Sequence, residues 1–424
     1  MAHAAVPAVN RRELLSWALY DWANSAFATT VIAGFFPLFF KKYWSAGADV
    51  SQSTFQFGAA NSIASLLVAL AAPVLGAIAD RGAAKKRFLV AFALLGVSMT
   101  AGLYFADQGE WVTAALLYAG ASVGFAGSIV FYDSLIVSVA TPEQSDRASA
   151  LGYALGYLGG GLLFAFNVLM YLKPALLGLR DGVEGIRLSF LLVAIWWAVF
   201  TIPLLRYVRE PVAASGSALV AVRAGMSQLA RTLRRIATLR PVWMFLLAYW
   251  LYIDGVDTVI RMAVDYGLSL GLEPGALIVA LLITQFVGFP ATLAFGRLGT
   301  RLGSKHAIML GIGIYVGITI WGYFMDSAAE FYALAAVVGL VQGGVQALSR
   351  SFYSRLIPPD EAGEFFGFYN MLGKFAAIVG PMLMGVVSLW TGSARLSILS
   401  ISLLLIAGGL LLARVDERAA RAVD

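Results

Sequence analysis

The chain alternates long apolar runs with short polar breaks. Apolar runs lie at 16–40, 55–79, 87–106, 111–138, 147–171, 187–208, 242–266, 274–297, 304–325, 330–354, 365–389 and 393–414. Crossing a bilayer takes about 20 apolar residues as a helix but only about 9–11 as a tilted strand. Lipid offers no hydrogen-bond partners, so each run must satisfy its own backbone, and the run length predicts helices. The expected fold class is an all-α membrane protein with twelve transmembrane helices. The run that begins near Trp17 is longer than the apolar part of a signal peptide, about 7–15 residues, and no small-residue cleavage site follows it. It reads as a retained first helix.

The polar breaks carry an orientation signal. Lys41, Lys42, Lys173, Arg180, Arg187 and Arg395 fall in one set of alternate loops, and Arg261 and Lys374 fall inside helices. Nearly all the rest of the 30 Lys and Arg residues crowd the other loops, the span ends beside them and the tails. By the positive-inside rule both termini are expected in the cytoplasm, in a cell (inner) membrane. The longest break, 209–241, divides the chain near its middle. It opens with Glu210-Pro211 and Ser215-Gly216-Ser217. Val222, Met226, Leu229, Leu233 and Ile236 then recur at helical spacing among Arg223, Arg231, Arg234 and Arg235. Either a basic amphipathic helix on the inner leaflet or a solvated connector fits this pattern. The expected organisation is a six-helix bundle over 1–208, a linker over 209–241 and a second six-helix bundle over 242–424.

Composition removes several function classes. The chain is 60% hydrophobic and 13% charged, where soluble domains carry about 25% charged residues. Its net charge of +6 is accounted for by the basic loops, so no nucleic-acid partner is expected. There is no cysteine, and the two histidines, His3 and His306, lie outside or at the edge of the apolar runs. A disulfide, a metal centre or a histidine relay is therefore not expected, and no cofactor is. No nucleophile–base spacing appears in the membrane. Gly311-x-Gly313-x-x-x-Gly317 sits within an apolar helix with no preceding strand, so it is no nucleotide fingerprint. The expected class is not an enzyme.

Ionisable residues inside a bilayer cost about 2.5–3.5 kcal/mol each on insertion scales, and they face a cavity or a partner. Asp21 lies in the first run, with Asn24 and Ser25 one turn on, and Asp133 and Arg350 lie in the fourth and tenth. In the seventh, Asp254, Asp257, Arg261 and Asp265 share one helical face. Lys374 lies about ten residues into the eleventh run, one turn after Asn370. Asp257 and Arg261, four apart, either neutralise each other or serve the solute. Asp254 has no cation one turn on, so it is expected to bind a substrate amine or a proton. Lys374 is too deep to snorkel and needs an anion. Asp21 and Asn24 read equally as solute ligands or as a gate. Trp17, Trp22 and Trp44 are expected at the membrane interface. Gln285, Gln342 and Gln346 are expected to hydrogen-bond between helices, with solute contact as the alternative.

The halves repeat. Gly76-Ala-Ile-Ala-Asp80-Arg81-Gly82 with Lys85-Lys86-Arg87 matches Gly296-Arg-Leu-Gly-Thr300-Arg301-Leu302 with Lys305. Ser134 and Gly152-Tyr153 correspond to Ser349 and Gly367-Phe368 at constant offset. Further stretches carry a family resemblance: Tyr20-Asp21-Trp22-Ala23-Asn24-Ser25-Ala26-Phe27, Phe131-Tyr132-Asp133-Ser134, Gly152-Tyr-Ala-Leu-Gly156-Tyr-Leu-Gly159-Gly160, Gln342-Gly343-Gly344-Val345-Gln346-Ala347-Leu348-Ser349-Arg350 and Phe365-Phe366-Gly367-Phe368-Tyr369-Asn370. Together, over nearly the whole chain, they resemble the "unknown major facilitator" branch of the major facilitator superfamily, related to fungal vacuole effluxers of autophagy.

That resemblance implies two pseudo-symmetric six-helix halves around a mid-membrane site and export of small solutes, amino acids first among them. It implies that the first, fourth, seventh and tenth helices line the cavity, which is where every intramembrane charge but Lys374 falls. It places Asp80 and Arg81 in a cytoplasmic gating loop whose second copy has Thr300 in place of the acid. Asp133 and Arg350, near the inner mouth, read as gate or inter-helix pairs. Gly152, Gly156 and Gly160 stand in a run similar to the antiporter signature, with Tyr157 where that signature has proline; their four-residue spacing also serves close packing. The expectation is a monomeric secondary transporter working by alternating access, with proton coupling through Asp21 or Asp254. A solute sensor on the same fold and a lipid or drug exporter are the alternatives.

Overall fold

A computed structural model of the chain describes residues 10–46, 85–210 and 234–416. The second expected span, Asp80, Arg81 and residues 211–233 of the linker lie outside these residues. Every regular element among the described residues is helical. The long helices are α1 (Arg11–Trp44), α2 (Lys85–Gly102), α3 (Trp111–Ser134), α4 (Ser145–Leu172), α5 (Gly182–Tyr207), α6 (Arg240–Ser269), α7 (Pro274–Leu302), α8 (Ser304–Phe324), α9 (Ala328–Ser354), α10 (Ala362–Thr391) and α11 (Ala394–Ala413). They correspond to the first and the third to twelfth expected spans. All but α2 and α10 are long and apolar enough to cross a membrane.

The ends follow local chemistry. Asp181 and Ser393 cap α5 and α11 through side-chain oxygens, and Ser327 with Glu330 forms a reciprocal capping box on α9. Gly178 and Gly392 take the left-handed conformation that closes a helical turn. Within α1 the backbone widens to π geometry over Phe27–Phe35, the amide of Phe36 reaching back five residues to Val31. Such widening inside a helix is common at functional sites.

Corresponding helices pack in corresponding ways. α1 lies against α4 and α5 as α6 lies against α10 and α11, and α2 against α3 as α8 lies against α9. The halves meet where α4 faces α7 and α9, and where α3 faces α10. The repeat is visible in single bonds. Lys86 Nζ donates to the carbonyls of Leu205 and Val208 at the end of α5, and Lys305 Nζ donates to those of Ala413 and Val415 at the end of α11. In each half a cation thus satisfies the orphan carbonyls at the end of the last helix.

The chain direction gathers the Arg and Lys at the start of α1, α2, α6 and α8 and at the end of α5, α7, α9 and α11 on one face, here termed the basic face. Leucines such as Leu116, Leu403 and Leu410 stand more than 60% exposed around the sides, as lipid rather than water demands. Trp17 and Trp44 are not interface anchors: both are fully buried, and the Trp44 indole donates to the carbonyl of Ala106. A tryptophan near the end of a span reaches lipid headgroups only if its helix face is outward, and these two face the bundle.

Candidate functional site

α1, α3 and α4 of the first half and α9 and α10 of the second converge on Arg350, which is 1% exposed. Its Nη1 lies 3.1 Å from Asp133 Oδ1 and 3.3 Å from Asp21 Oδ2, and its Nη2 lies 3.3 Å from the same Asp21 oxygen. Nε donates to Ser149 Oγ at 2.8 Å and Nη2 to the Ser149 carbonyl at 3.0 Å. Tyr132 donates its hydroxyl to Asp21 at 2.7 Å, and Asn370 donates to the other oxygen of Asp133 at 3.1 Å.

Aromatic rings wall the cluster. The guanidinium carbon stands 4.3 Å from the Tyr153 ring centre and 4.9 Å from that of Trp17, which stacks on Tyr132 at 4.6 Å and donates to the Tyr132 carbonyl. Cation–π attraction strengthens as water is excluded, so the rings supplement the carboxylates. Two carboxylates against one guanidinium leave a formal charge of −1 when all are ionised. A buried surplus of charge is costly unless it is compensated.

The glycines of α4 make the approach possible. A Cβ on Gly152 would lie 2.5 Å from Asp21 Oδ2 and 2.9 Å from both Arg350 Nη2 and the Tyr132 hydroxyl. One on Gly156 would meet Ser25 Oγ at 2.5 Å, and one on Gly160 would meet Thr29 Oγ1 at 2.7 Å. The four-residue spacing is thus the contact face for α1. Tyr157, on the same helix, turns to the other half, where its ring fills the space left by Gly288 and Gly343.

A second polar layer lies one turn nearer the basic face. Asp146, in the first turn of α4 and 5% exposed, accepts from Ser304 Oγ, from Ser351 Oγ and, at 2.8 Å, from Arg355 Nη1. Arg355 also donates to Ser145 Oγ at 2.8 Å and to Ser304 Oγ. Here the second copy of the repeated motif finds its purpose. Gly296 and Gly299 let α7 approach α4, with a Gly296 Cβ 2.4 Å from that of Ala150 and a Gly299 Cβ 3.3 Å from Asp146 Oδ2. Thr300, at the position matching Asp80, is exposed and among the described residues bonds only to the carbonyl of Arg297 on its own helix. The acid of this contact comes from the opposite half instead.

The other expected residues are placed as follows. Asp254, 1% exposed, accepts from the Gly380 amide at 2.9 Å and from Thr258 Oγ1 at 3.2 Å. It clasps α6 to α10 one residue before Pro381, within the second half. Asp257 is half-buried, in electrostatic range of the phenols of Tyr153 and Tyr157 across the interface. Arg261 is exposed, and its charge reaches Tyr118 of the first half. Asn24 is 2% exposed, and its Nδ2 is buried with no acceptor among the described residues, one turn from Asp21. Gln285 donates to Thr29 across the halves at 3.3 Å. Lys374 lies outside the residues whose side chains are described. Tyr132, Ser149, Tyr153, Asp146, Ser304, Ser351 and Arg355 were not read from the sequence as site residues, although Tyr132 and Tyr153 stand in its motifs. Neutral hydroxyls give no intramembrane charge signal, and Asp146 and Arg355 sit at span ends where charge is ordinary.

The chain matches the family described as "Vacuole effluxer Atg22 like" over residues 46–142 and 137–423. It is 38% identical over 404 residues to the MFS-type transporter YxiO of Bacillus subtilis, covering 95% of this chain and 94% of that one. It is 22% identical over 519 residues to autophagy-related protein 22 of Gibberella zeae, covering 93% and 77%. The fold is similar to that of the human organic anion transporter MFSD10 (TETRAN), with a TM-score of 0.71 at 17% identity, over 95% of this chain and 99% of that one. The chain therefore belongs to the Atg22-like vacuole effluxer family and is a membrane transporter of the major facilitator type, not an enzyme.

Proposed function

We propose that the chain exports small zwitterionic solutes, amino acids first among them, and that the Arg350 cluster is the lock its two halves open and close. The observation that supports this is the cluster itself: one buried guanidinium holds carboxylates from two first-half helices, so the halves cannot part on the basic face without separating them. A solute bearing both a carboxylate and an ammonium can take over each partner as they separate, the carboxylate at Arg350 and the ammonium at Asp21 or Asp133. Exchange of partners lowers the barrier that bare separation of buried charges imposes. Asn24, whose Nδ2 meets no acceptor among the described residues, holds a carbonyl or carboxylate oxygen of the solute in this reading.

The formal surplus of one negative charge favours proton coupling through Asp21 and Asp133. The basic face, by its charge, is the cytoplasmic one, so both termini lie inside and the lock closes the inner mouth of a cell-membrane protein. A single chain contains both halves and works as a monomer. Asp80 and Arg81 act in the gating loop, and Asp257, Arg261 and Lys374 serve the solute path.

The test is uptake of a radiolabelled amino-acid mixture into proteoliposomes of the purified protein, with and without a pH gradient. Saturable flux that Asp21→Asn abolishes, and that the gradient drives, is the expected result. Flux absent under every gradient, from protein that remains monodisperse, removes amino acids as the solute class.

A further inference from the structure

Outside the lock, the second half holds a partly open apolar cavity of about 90 Å³ toward the face opposite the basic one. Stripes from several helices wall it, among them Val259 of α6, Leu281 of α7, Ile318 of α8 and Ala335 and Val338 of α9. Two polar groups in the wall are already engaged: Tyr266 donates to the Gly322 carbonyl at 2.7 Å, and Thr284 donates to the carbonyls of Ala280 and Ala335. Gln342, which also lines the cavity, differs. Its Oε1 is buried with no hydrogen-bond partner among the described residues. A buried acceptor left unmet costs about 1–3 kcal/mol, and an apolar void of this size stays dry or takes an apolar guest. Gln342 precedes Arg350 by eight residues on α9, about 12 Å along the helix axis, so the cavity and the lock are separate places.

We infer that this cavity is a binding site for a small apolar molecule carrying one hydrogen-bond donor, of the phenol or short-alcohol class, with the donor directed to Gln342 Oε1. The apolar wall excludes ions and zwitterions, so the occupant is not the solute proposed for the lock. A short alcohol fits this volume, which is smaller than the roughly 150 Å³ void that takes benzene, so an aromatic ring enters only as the wall side chains shift.

The test uses the full-length protein in detergent with two photoreactive diazirine probes, a phenol and the same ring bearing methyl in place of hydroxyl. The phenol probe is expected to label peptides spanning 259–266 and 331–342 saturably and to be displaced by unlabelled phenol. Gln342→Leu should weaken the phenol probe about fivefold, the worth of one net hydrogen bond, and leave the methyl probe unchanged. Ala335→Trp, which fills the cavity, should suppress both; if that variant aggregates, Ala280→Phe serves the same purpose. Labelling that does not saturate, or that persists in the filled variant, overturns the site. A phenol preference that survives Gln342→Leu overturns the assignment of the donor. Arg350→Lys should bind both probes as the parent does, which separates this result from any failure of the transport reading.

Discussion

Arg350 Nη1 lies 3.1 Å from Asp133 Oδ1, and the bond between them crosses from one half of the molecule to the other. Both side chains are almost without solvent, so each needs the other in a medium that punishes an unpaired charge. Asn370 holds the second oxygen of Asp133, and Tyr132 and Ser149 hold the rest of the cluster. The contact is therefore strong while closed and costly to leave half made.

Removing the cation should be worse than removing one anion. Arg350→Met strands two carboxylates and should destabilise the purified protein by about 3–5 kcal/mol, as breakage of a buried ion pair does. Asp133→Asn leaves Asp21 to balance Arg350 and should cost clearly less. Denaturant unfolding in detergent decides the order, and the reverse order would mean that the cluster is not held by charge balance.

Glycines on α4 and α8 should part company under the same substitution. Gly152→Ala puts a methyl 2.5 Å from Asp21 and should abolish flux in proteoliposomes while leaving the protein monodisperse. Gly313 and Gly317 have open space at the same position, so alanine there should be neutral or stabilise by about 0.5–1 kcal/mol through helix propensity. Loss of flux in Gly313→Ala would show that flux is not a report on the lock.

Opening on the basic face can be trapped, because the chain has no cysteine of its own. Ala150→Cys combined with Gly296→Cys places two sulfurs where α4 and α7 touch. A short adjustment brings their Cβ atoms to the usual spacing of about 3.8 Å. Oxidation should stop transport and reduction should restore it. A disulfide that forms without affecting flux would show that this contact need not open.

Asp254 and Asp21 should answer differently to the same change. Asp254→Asn keeps an oxygen for the Gly380 amide and for Thr258, so flux should survive. Asp254→Leu leaves that amide unmet and should cost about 1–3 kcal/mol of stability. Flux lost in Asp254→Asn, with stability intact, would assign Asp254 to the solute or proton path instead.

Weakening the second layer should bias the halves toward opening. In Asp146→Ala the Arg355 guanidinium loses its acid, and a reporter cysteine at Ala150 should react faster with a soluble thiol reagent than in the parent background. An unchanged rate would mean that the first layer alone holds the face shut.

The apolar runs by themselves determined the helices, because a span must satisfy its backbone internally and its length is set by the bilayer. The Lys and Arg bias determined which ends share a face, and the repeat of Lys85-Lys86 in Lys305 determined the symmetry that the bonds to α5 and α11 display. Asp21, Asp133, Asn370 and Arg350 stood out singly, as solute or gate candidates, because polar groups inside a membrane are rare. Only the tertiary structure decided who holds whom. Nothing in the spacing of Asp21 and Arg350, 329 residues apart, pairs them; that depends on how α1, α4 and α9 cross. Packing likewise made Asp254 a clasp between α6 and α10, buried Trp17 beneath the lock, and supplied Asp146 from the facing half where the second motif has Thr300. Span and face are local properties of a chain in lipid, whereas partnership depends on contacts between distant helices.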